Sequence, residues 1–421
     1  MKKWLLLSLV GIVFISAPMV YFWRAARFQL AAGPALVIGI IGVFLLLTAY
    51  WQSMLSIIPY LKNPGDADQG TTDSHHLAQL VYHRQVRSKG RKIVVVGGGT
   101  GLSVLLRGLK QVTRNISAVV TVADDGGGSG VLREDLGMLP PGDIRSCLLA
   151  LAETEPTMEA LLQYRFTEGK LKGQSFGNLF IASMNGISDS FEEAVKKMGE
   201  VLAVEGHVYP VTLEDITLFA QLKSGQVIKG ESNIPIKSIE EASPIDFVFI
   251  RPRNPAALPE VLSAIHEADA IILGPGSLYT SIIPNLLVPE VANQINQSNA
   301  CKIYLSNIMT QPGETDYYSV SDHVKALMSN SGLAHLDVVL ANTQTVPDTI
   351  AAKYREEGAE MVIPTADDRQ FFRTAGIHLM CVEAVEVKNN YVRHDALKIS
   401  RLIHNHLLGN KMKRTNIQQP L

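Results

Sequence analysis

An α/β fold, with a Rossmann-like, doubly wound and mainly parallel sheet, is predicted for residues 91–410 by three features. Short runs rich in Val, Ile and Leu recur at 92–96, 118–123, 246–250, 270–273, 302–305, 336–340 and 380–385. Their apolar residues are consecutive rather than alternating, as suits strands covered on both faces of a parallel sheet. Amphipathic stretches at 102–109, 144–152, 191–201 and 255–267 separate them, which is the βαβ alternation of a doubly wound fold. Five of the runs lead directly into glycine- or amide-bearing loops.

Within this frame Asn254 reads as an N-cap, with Pro255 at the first helical position. Residues 207–228 break the rhythm: period-two runs flank the turn Lys223-Ser224-Gly225-Gln226, predicting an antiparallel insertion or edge hairpin. The chain ends in a basic tail, 411–421.

The first 60 residues differ in kind. Trp4 to Trp23 and Leu30 to Ile58 carry no charge, and each is long enough for a membrane-crossing helix, which needs roughly 20 residues. Aromatic residues sit near their ends, and a six-residue loop with Arg24 and Arg27 joins them. The expectation is a transmembrane helical hairpin over 1–60, followed by a polar linker over 61–90. A cleaved signal peptide is the rival, but Pro18 follows the best cleavage site and a second apolar run comes after it. The basic residues flanking the hairpin predict a membrane-anchored protein whose soluble domain is cytoplasmic.

Composition excludes several classes. A net charge of −2 and a pI near 6.6 argue against a nucleic-acid partner. Cys147, Cys301 and Cys381 lie far apart, without the spacing of a zinc site or disulfide framework. The lone histidines 207, 266 and 323 show no triad or ligand spacing and read as structural. A homodimer is compatible with the sequence, which carries no signal for it.

The chemistry gathers after the strands. Gly97-Gly98-Gly99-Thr100-Gly101 lies between a strand and a helix, where it forms either a tight turn or a phosphate cradle. It matches neither the dinucleotide fingerprint nor a P-loop. Asp124-Asp125-Gly126-Gly127-Gly128-Ser129-Gly130 places two acids at a strand end, suited to a ribose hydroxyl or a hydrated Mg²⁺. Asp143 opens a helix as a cap or a ligand, and Arg145, in the first turn, is placed for an anion. Gly177-Asn178 precedes an apolar helix. Gly274-Pro275-Gly276-Ser277 suits a phosphate, while Asn307 with Thr310 and Gln311 could read a base or sugar. In a parallel sheet these loops share one edge, outside which ligands bind.

The blocks IVVVGGGTGLSVLLRGLK, TVADDGGGSGVLREDLG, PPGDIRSCLLAL, GNLFIA, GPGSLYTSIIPNLLVP and NIMTQPGET together resemble the gluconeogenesis factor family, relatives of 2-phospho-L-lactate transferase. The resemblance implies a Rossmann-like domain that binds a nucleotide-sugar such as a UDP-sugar and regulates cell shape and envelope growth with carbon supply. The alternative it implies is a transferase moving a phosphorylated group from a nucleoside diphosphate donor to an acceptor with Mg²⁺. On either reading Gly98, Gly99, Thr100, Gly276 and Ser277 would face phosphate, with Asn178 and Asn307 lining the pocket, and Gly101, Gly274, Asp143 and Arg145 complete the ligand-binding candidates. Asp124 and Asp125 would be the metal-side or catalytic acids. Two positions depart from the family pattern. Gly128 stands where a serine is expected, and Gln174 stands where a histidine is expected. An NAD-dependent oxidoreductase is disfavoured by the missing third glycine, and a ligand-free scaffold leaves the loop-rich edge unexplained.

Overall fold

Seven strands make one wholly parallel sheet, and every one of them leads toward the same edge. The computed structural model describes residues 90–408 apart from 154–155 and 389, together with 40–51 and the single positions 12, 16 and 37. In chain order the strands are β1 (Ile93–Gly97), β2 (Ile116–Val120), β3 (His207–Pro210), β4 (Thr217–Leu222), β5 (Val227–Lys229), β6 (Ile245–Arg251), β7 (Ala270–Leu273), β8 (Cys301–Leu305), β9 (Val338–Asn342), β10 (His378–Val382), β11 (Val385–Lys388) and β12 (Tyr391–His394). The main sheet runs β10-β9-β8-β7-β1-β2-β3. Its order reverses between β1 and β7, so the loops after these strands flank the crevice where doubly wound folds place ligands.

The central strands β1, β7 and β9 are buried at every residue, which is why their sequences show no alternation. Helix Gly99–Leu109 continues directly from β1 and buries Leu102, Leu105, Leu106 and Leu109, a face spaced by three and four residues. It packs between helices Gly142–Leu151 and Ala396–Leu402.

Several expectations need correction. The run at 246–250 is not a strand of the parallel sheet. As β6 it pairs antiparallel with β4, and β5 completes a separate three-stranded sheet. Conversely β3, expected in the antiparallel insertion, pairs parallel with β2 as the edge strand. The helix expected from Pro255 starts at Pro259, with Leu258 at its N-cap. Asp143 lies inside the first turn of its helix, whose N-cap is Pro141. Ser175 caps the helix Phe176–Gly186 by accepting from the Asn178 N–H, which brings Gly177 and Asn178 into its first turn.

The membrane-anchor expectation is also corrected. The chain separates into the units Met1–Val86 and Arg87–Leu421, and the first is helical over 40–51. Among the described residues no helix is long and apolar enough to cross a membrane. Most of the two uncharged runs, the linker and the basic tail lie outside the described residues.

Gly108 tests the packing directly. A methyl group there would stand 2.3 Å from the carbonyl oxygen of Ala396. In an unconstrained helix Gly→Ala adds roughly 1 kcal/mol of stability. Here overpacking dominates, and Gly108→Ala is expected to cost about 1–3 kcal/mol in denaturant unfolding. A raised unfolding midpoint would contradict the close approach.

Candidate functional site

The loops after β1, β7 and β8 meet around a cleft of about 560 Å³, within the usual size range of small-molecule sites. Gly98, Gly99, Thr100 and Gly101 form one wall, Pro275, Gly276 and Ser277 a second, and Asn307 to Pro312 a third. The hairpin β11–β12 adds Tyr391 to His394, and helix Asp348–Glu356 with its following turn adds Tyr354 and Glu357.

Backbone contact explains the glycines. A Cβ on Gly101 would lie 3.0 Å from the Pro275 carbonyl oxygen. One on Gly98 would lie 2.6 Å from Oδ2 of Asp143 and 2.9 Å from Thr121. Side chains at these positions would push the walls apart. Gly98 is also the N-cap of helix Gly99–Leu109 and makes no side-chain cap. The first N–H groups of a helix have no partner within it, and their dipoles favour an anion.

Side-chain amides join the second and third walls. Asn307 Nδ2 donates to the Gly276 carbonyl (3.0 Å), and its Oδ1 accepts from Tyr304 OH (3.3 Å). Gln311 Nε2 donates to Ser277 Oγ (2.7 Å). Asn285 Nδ2 donates to the Gly97 carbonyl (3.0 Å), pinning the end of β1. His394 Nε2 lies 3.1 Å from the Ser306 carbonyl, a contact that requires the proton on Nε2. Burial pushes the His394 pKa down to about 4, so the imidazole is neutral at pH 7.

A group of acids lies behind Gly98. Asp143 accepts a hydrogen bond from the Gly99 backbone, yet burial and then the Asp124 charge raise its pKa to about 6. Glu231 is raised to about 8, first by burial and then by the charges of Asp124, Glu314, Asp125 and Asp143. Glu314 is raised to about 7 by burial, against hydrogen bonds from Thr280 and the backbone. Asp124 Oδ1 accepts from Gly126 N (2.9 Å). Both oxygens of Asp125 are engaged by backbone N–H groups, of Glu231 (3.1 Å) and Ser232 (2.9 Å), which anchors the chain after β5. Among the described residues no group of three or more His, Cys, Asp or Glu could by itself hold a metal ion.

The sequence-derived candidates therefore divide. Gly98, Gly99, Thr100, Gly101, Gly276, Ser277 and Asn307 line the first cleft. Gly274 stands behind the second wall, where a Cβ would meet Ile282 and the Leu305 carbonyl. Asp143 touches the first wall from behind, while Arg145 lines an adjoining cleft. Asn178 is buried, and its Oδ1 has no partner. The two departures from the family pattern are neighbours: a Cβ at Gly128 would stand 2.8 Å from Gln174 Oε1. A side chain at position 128 would therefore crowd the Gln174 amide.

Sequence reasoning missed Glu231, Tyr391, Arg393 and His394. The last three had a signal, because Val385 to His394 alternates around an Asn-Asn turn. Glu231 had none, since only folding of the insertion brings it to Asp124. His323, expected to be structural, is fully buried with Nδ1 bonded to the Ser319 carbonyl.

Similarity to known proteins follows the same residues. The family described as 2-phospho-L-lactate transferase CofD matches residues 93–385. A Bacillus subtilis protein named gluconeogenesis factor is 46% identical over 74% of this chain and 96% of its own length. A Clostridium acetobutylicum relative is 50% identical over 98% of this chain and 91% of its own length. The crystal structure of a UPF0052 family member from Bacillus halodurans superposes with a TM-score of 0.70 at 44% identity, covering 74% of this chain and 99% of that one.

The acids predict a pH signature. A free Asp titrates near 3.9, whereas native Asp143 holds its proton to about pH 6. The native state binds more protons in this window, so ionising Asp143 removes stability as pH rises from about 4 to about 6. Asp143→Asn, which keeps an acceptor for the Gly99 N–H, is expected to be the more stable protein at pH 7. Its advantage over wild type should vanish below about pH 4. Denaturant unfolding across that range measures the gap, and a gap independent of pH would count against a buried, repelled carboxyl.

Proposed function

The chain belongs to the 2-phospho-L-lactate transferase CofD family, with gluconeogenesis factors among its relatives, and on that footing we propose that it is a nucleotide-sugar-binding regulatory protein. Its ligand is a UDP-sugar such as UDP-N-acetylglucosamine, and its output couples carbon supply to cell shape and envelope growth. The observation that carries this reading is the meeting of the β1 and β7 loops at the switch point of the sheet. Backbone amides at Thr100, Gly101, Gly276 and Ser277 are available to the diphosphate. Arg393 is the one Lys or Arg side chain among the residues lining that cleft, and it supplies a charged donor for the same group. Asn307 and Gln311 offer amides to the base or sugar.

A transferase is the second reading, favoured by the acids pressed against Gly98. Asp124 and Asp143 repel one another, and a divalent cation would relieve that repulsion. Mg²⁺ is usually held by one or two carboxylates together with phosphate oxygens and water, so this pair fits it. Asp125 fits less well, with both oxygens on backbone donors. The bound ion would neutralise diphosphate charge. The chain itself would position donor and acceptor, the larger part of catalysis in phosphoryl chemistry.

Calorimetry of the full chain separates the readings. UDP-N-acetylglucosamine is expected to bind saturably, and Arg393→Ala to weaken it about ten-fold or more. Absence of heat with any uridine or guanosine diphosphate compound, with and without Mg²⁺, would remove the proposal. Turnover of a guanosine diphosphate donor with a deazaflavin acceptor, lost in Asp143→Asn, would favour the transferase instead.

A further inference from the structure

A second cleft, of about 950 Å³, adjoins the first and shares Thr100, Val104, Tyr391 and Arg393 with it. Its lining is strongly cationic: Arg107, Arg145, Arg165, Lys388 and Arg393 face only two acids, Glu386 and Asp395. One of those acids is engaged by backbone, and the other lies on the hairpin that carries Arg393. Asp395 Oδ1 accepts from Lys398 N at the start of a helix, and Glu386 stands opposite Arg393 in the β11–β12 register. Arg107 pairs with Glu159. Among the described residues no carboxylate lies within ion-pair distance of Arg145, Arg165 or Lys388.

Arg145 and Arg165 are held near each other by one short segment. Arg145 Nη1 donates to Ser175 Oγ, and Arg165 Nη1 donates to the Gly173 carbonyl. That segment is itself fixed by backbone bonds from Phe166 N to Gln174 O (2.9 Å), Gly173 N to Phe166 O (2.8 Å) and Phe176 N to Tyr164 O (2.8 Å). Arg145 Nε is buried and has no partner. Burial, and then the Arg165 charge, lower the Arg145 pKa. The Asp143 and Asp124 charges act against that lowering, but neither carboxylate pairs with the guanidinium, and a phosphoryl group matches the planar donors of both arginines.

We infer that this second cleft is a separate subsite for a phosphorylated small molecule, held between the Arg145–Arg165 pair and Lys388 and occupied together with the first cleft. Each cleft is large enough for a ligand of its own. Their shared wall, Thr100, Val104, Tyr391 and Arg393, gives the second ligand a direct route to influence the first. The inference rests on the nucleotide reading only for the identity of the first ligand.

Inorganic pyrophosphate titrated into the full chain tests it, alone and after saturation with UDP-N-acetylglucosamine. Pyrophosphate is expected to bind in both states, and Arg165→Ala to weaken it about ten-fold. The affinity of the same variant for the UDP-sugar should stay within about three-fold of wild type. Arg165 is exposed, so the substitution leaves the core intact, and the exposed Lys388→Ala provides an independent second variant. One-for-one displacement of pyrophosphate by the UDP-sugar, or binding indifferent to both substitutions, would place the anion in the first cleft and overturn the inference. Absence of pyrophosphate binding would also overturn it. Should the UDP-sugar fail to bind, the nucleotide reading falls alone, and the dependence on Arg165 still decides this one.

Discussion

Two backbone loops touching at the edge of a parallel sheet are the constraint on which this molecule depends. The loop after β1 and the loop after β7 approach until a single methyl group at Gly101 would stand 3.0 Å from the Pro275 carbonyl. That contact requires adjacent parallel strands in register, Ile93 beside Ala270 through Val96 beside Leu273, and strands buried on both faces. It also requires the absence of side chains. On the proposed reading the same absence opens main-chain N–H groups to a diphosphate, so one steric condition would serve both the packing and the binding of an anion.

Charge is divided around this contact. Behind Gly98 lie Asp143, Asp124 and Glu231, two of them raised well above ordinary carboxylate values. Across the helix that starts at Gly99 lie Arg145 and Arg165, with no carboxylate at ion-pair distance among the described residues, although the Asp143 and Asp124 charges reach Arg145. Arg145 belongs to both environments, two residues from Asp143 in sequence and beside Arg165 in space. The helix Gly142–Leu151 therefore carries an acid toward one side of the glycine loop and a guanidinium toward the other. Buried charge left uncompensated is costly, and such cost is commonly retained at functional sites.

Much of this was legible in the residues, for identifiable reasons. Strand β7 and helix Phe191–Val201 were read at their observed bounds, because a fully buried strand and a strongly amphipathic helix leave unambiguous patterns. The loops after β1, β7 and β8 declared themselves through glycine and amide content. Strand β6 misled because Phe247, Val248, Phe249 and Ile250 look like a central strand, although Phe247 is exposed on a small antiparallel sheet. Strand β3 misled in the opposite sense, being a four-residue edge whose pattern is dominated by its neighbours. Glu231 and Arg165 were invisible as site residues, since their roles arise from contacts between elements far apart in the chain, whereas Arg393 lay in a hairpin pattern that went unread. The apolar N-terminal runs suggested a membrane hairpin through composition alone, and among the described residues no spanning helix answers to it.

The most direct measurement is a crystal structure of the protein with a UDP-sugar bound. The account predicts diphosphate density in the first cleft, with its oxygens within hydrogen-bond distance of backbone N–H groups from both the Thr100–Gly101 and the Gly276–Ser277 walls. A diphosphate seated elsewhere, or touching only one of the two loops, would contradict the claim that their contact builds the site.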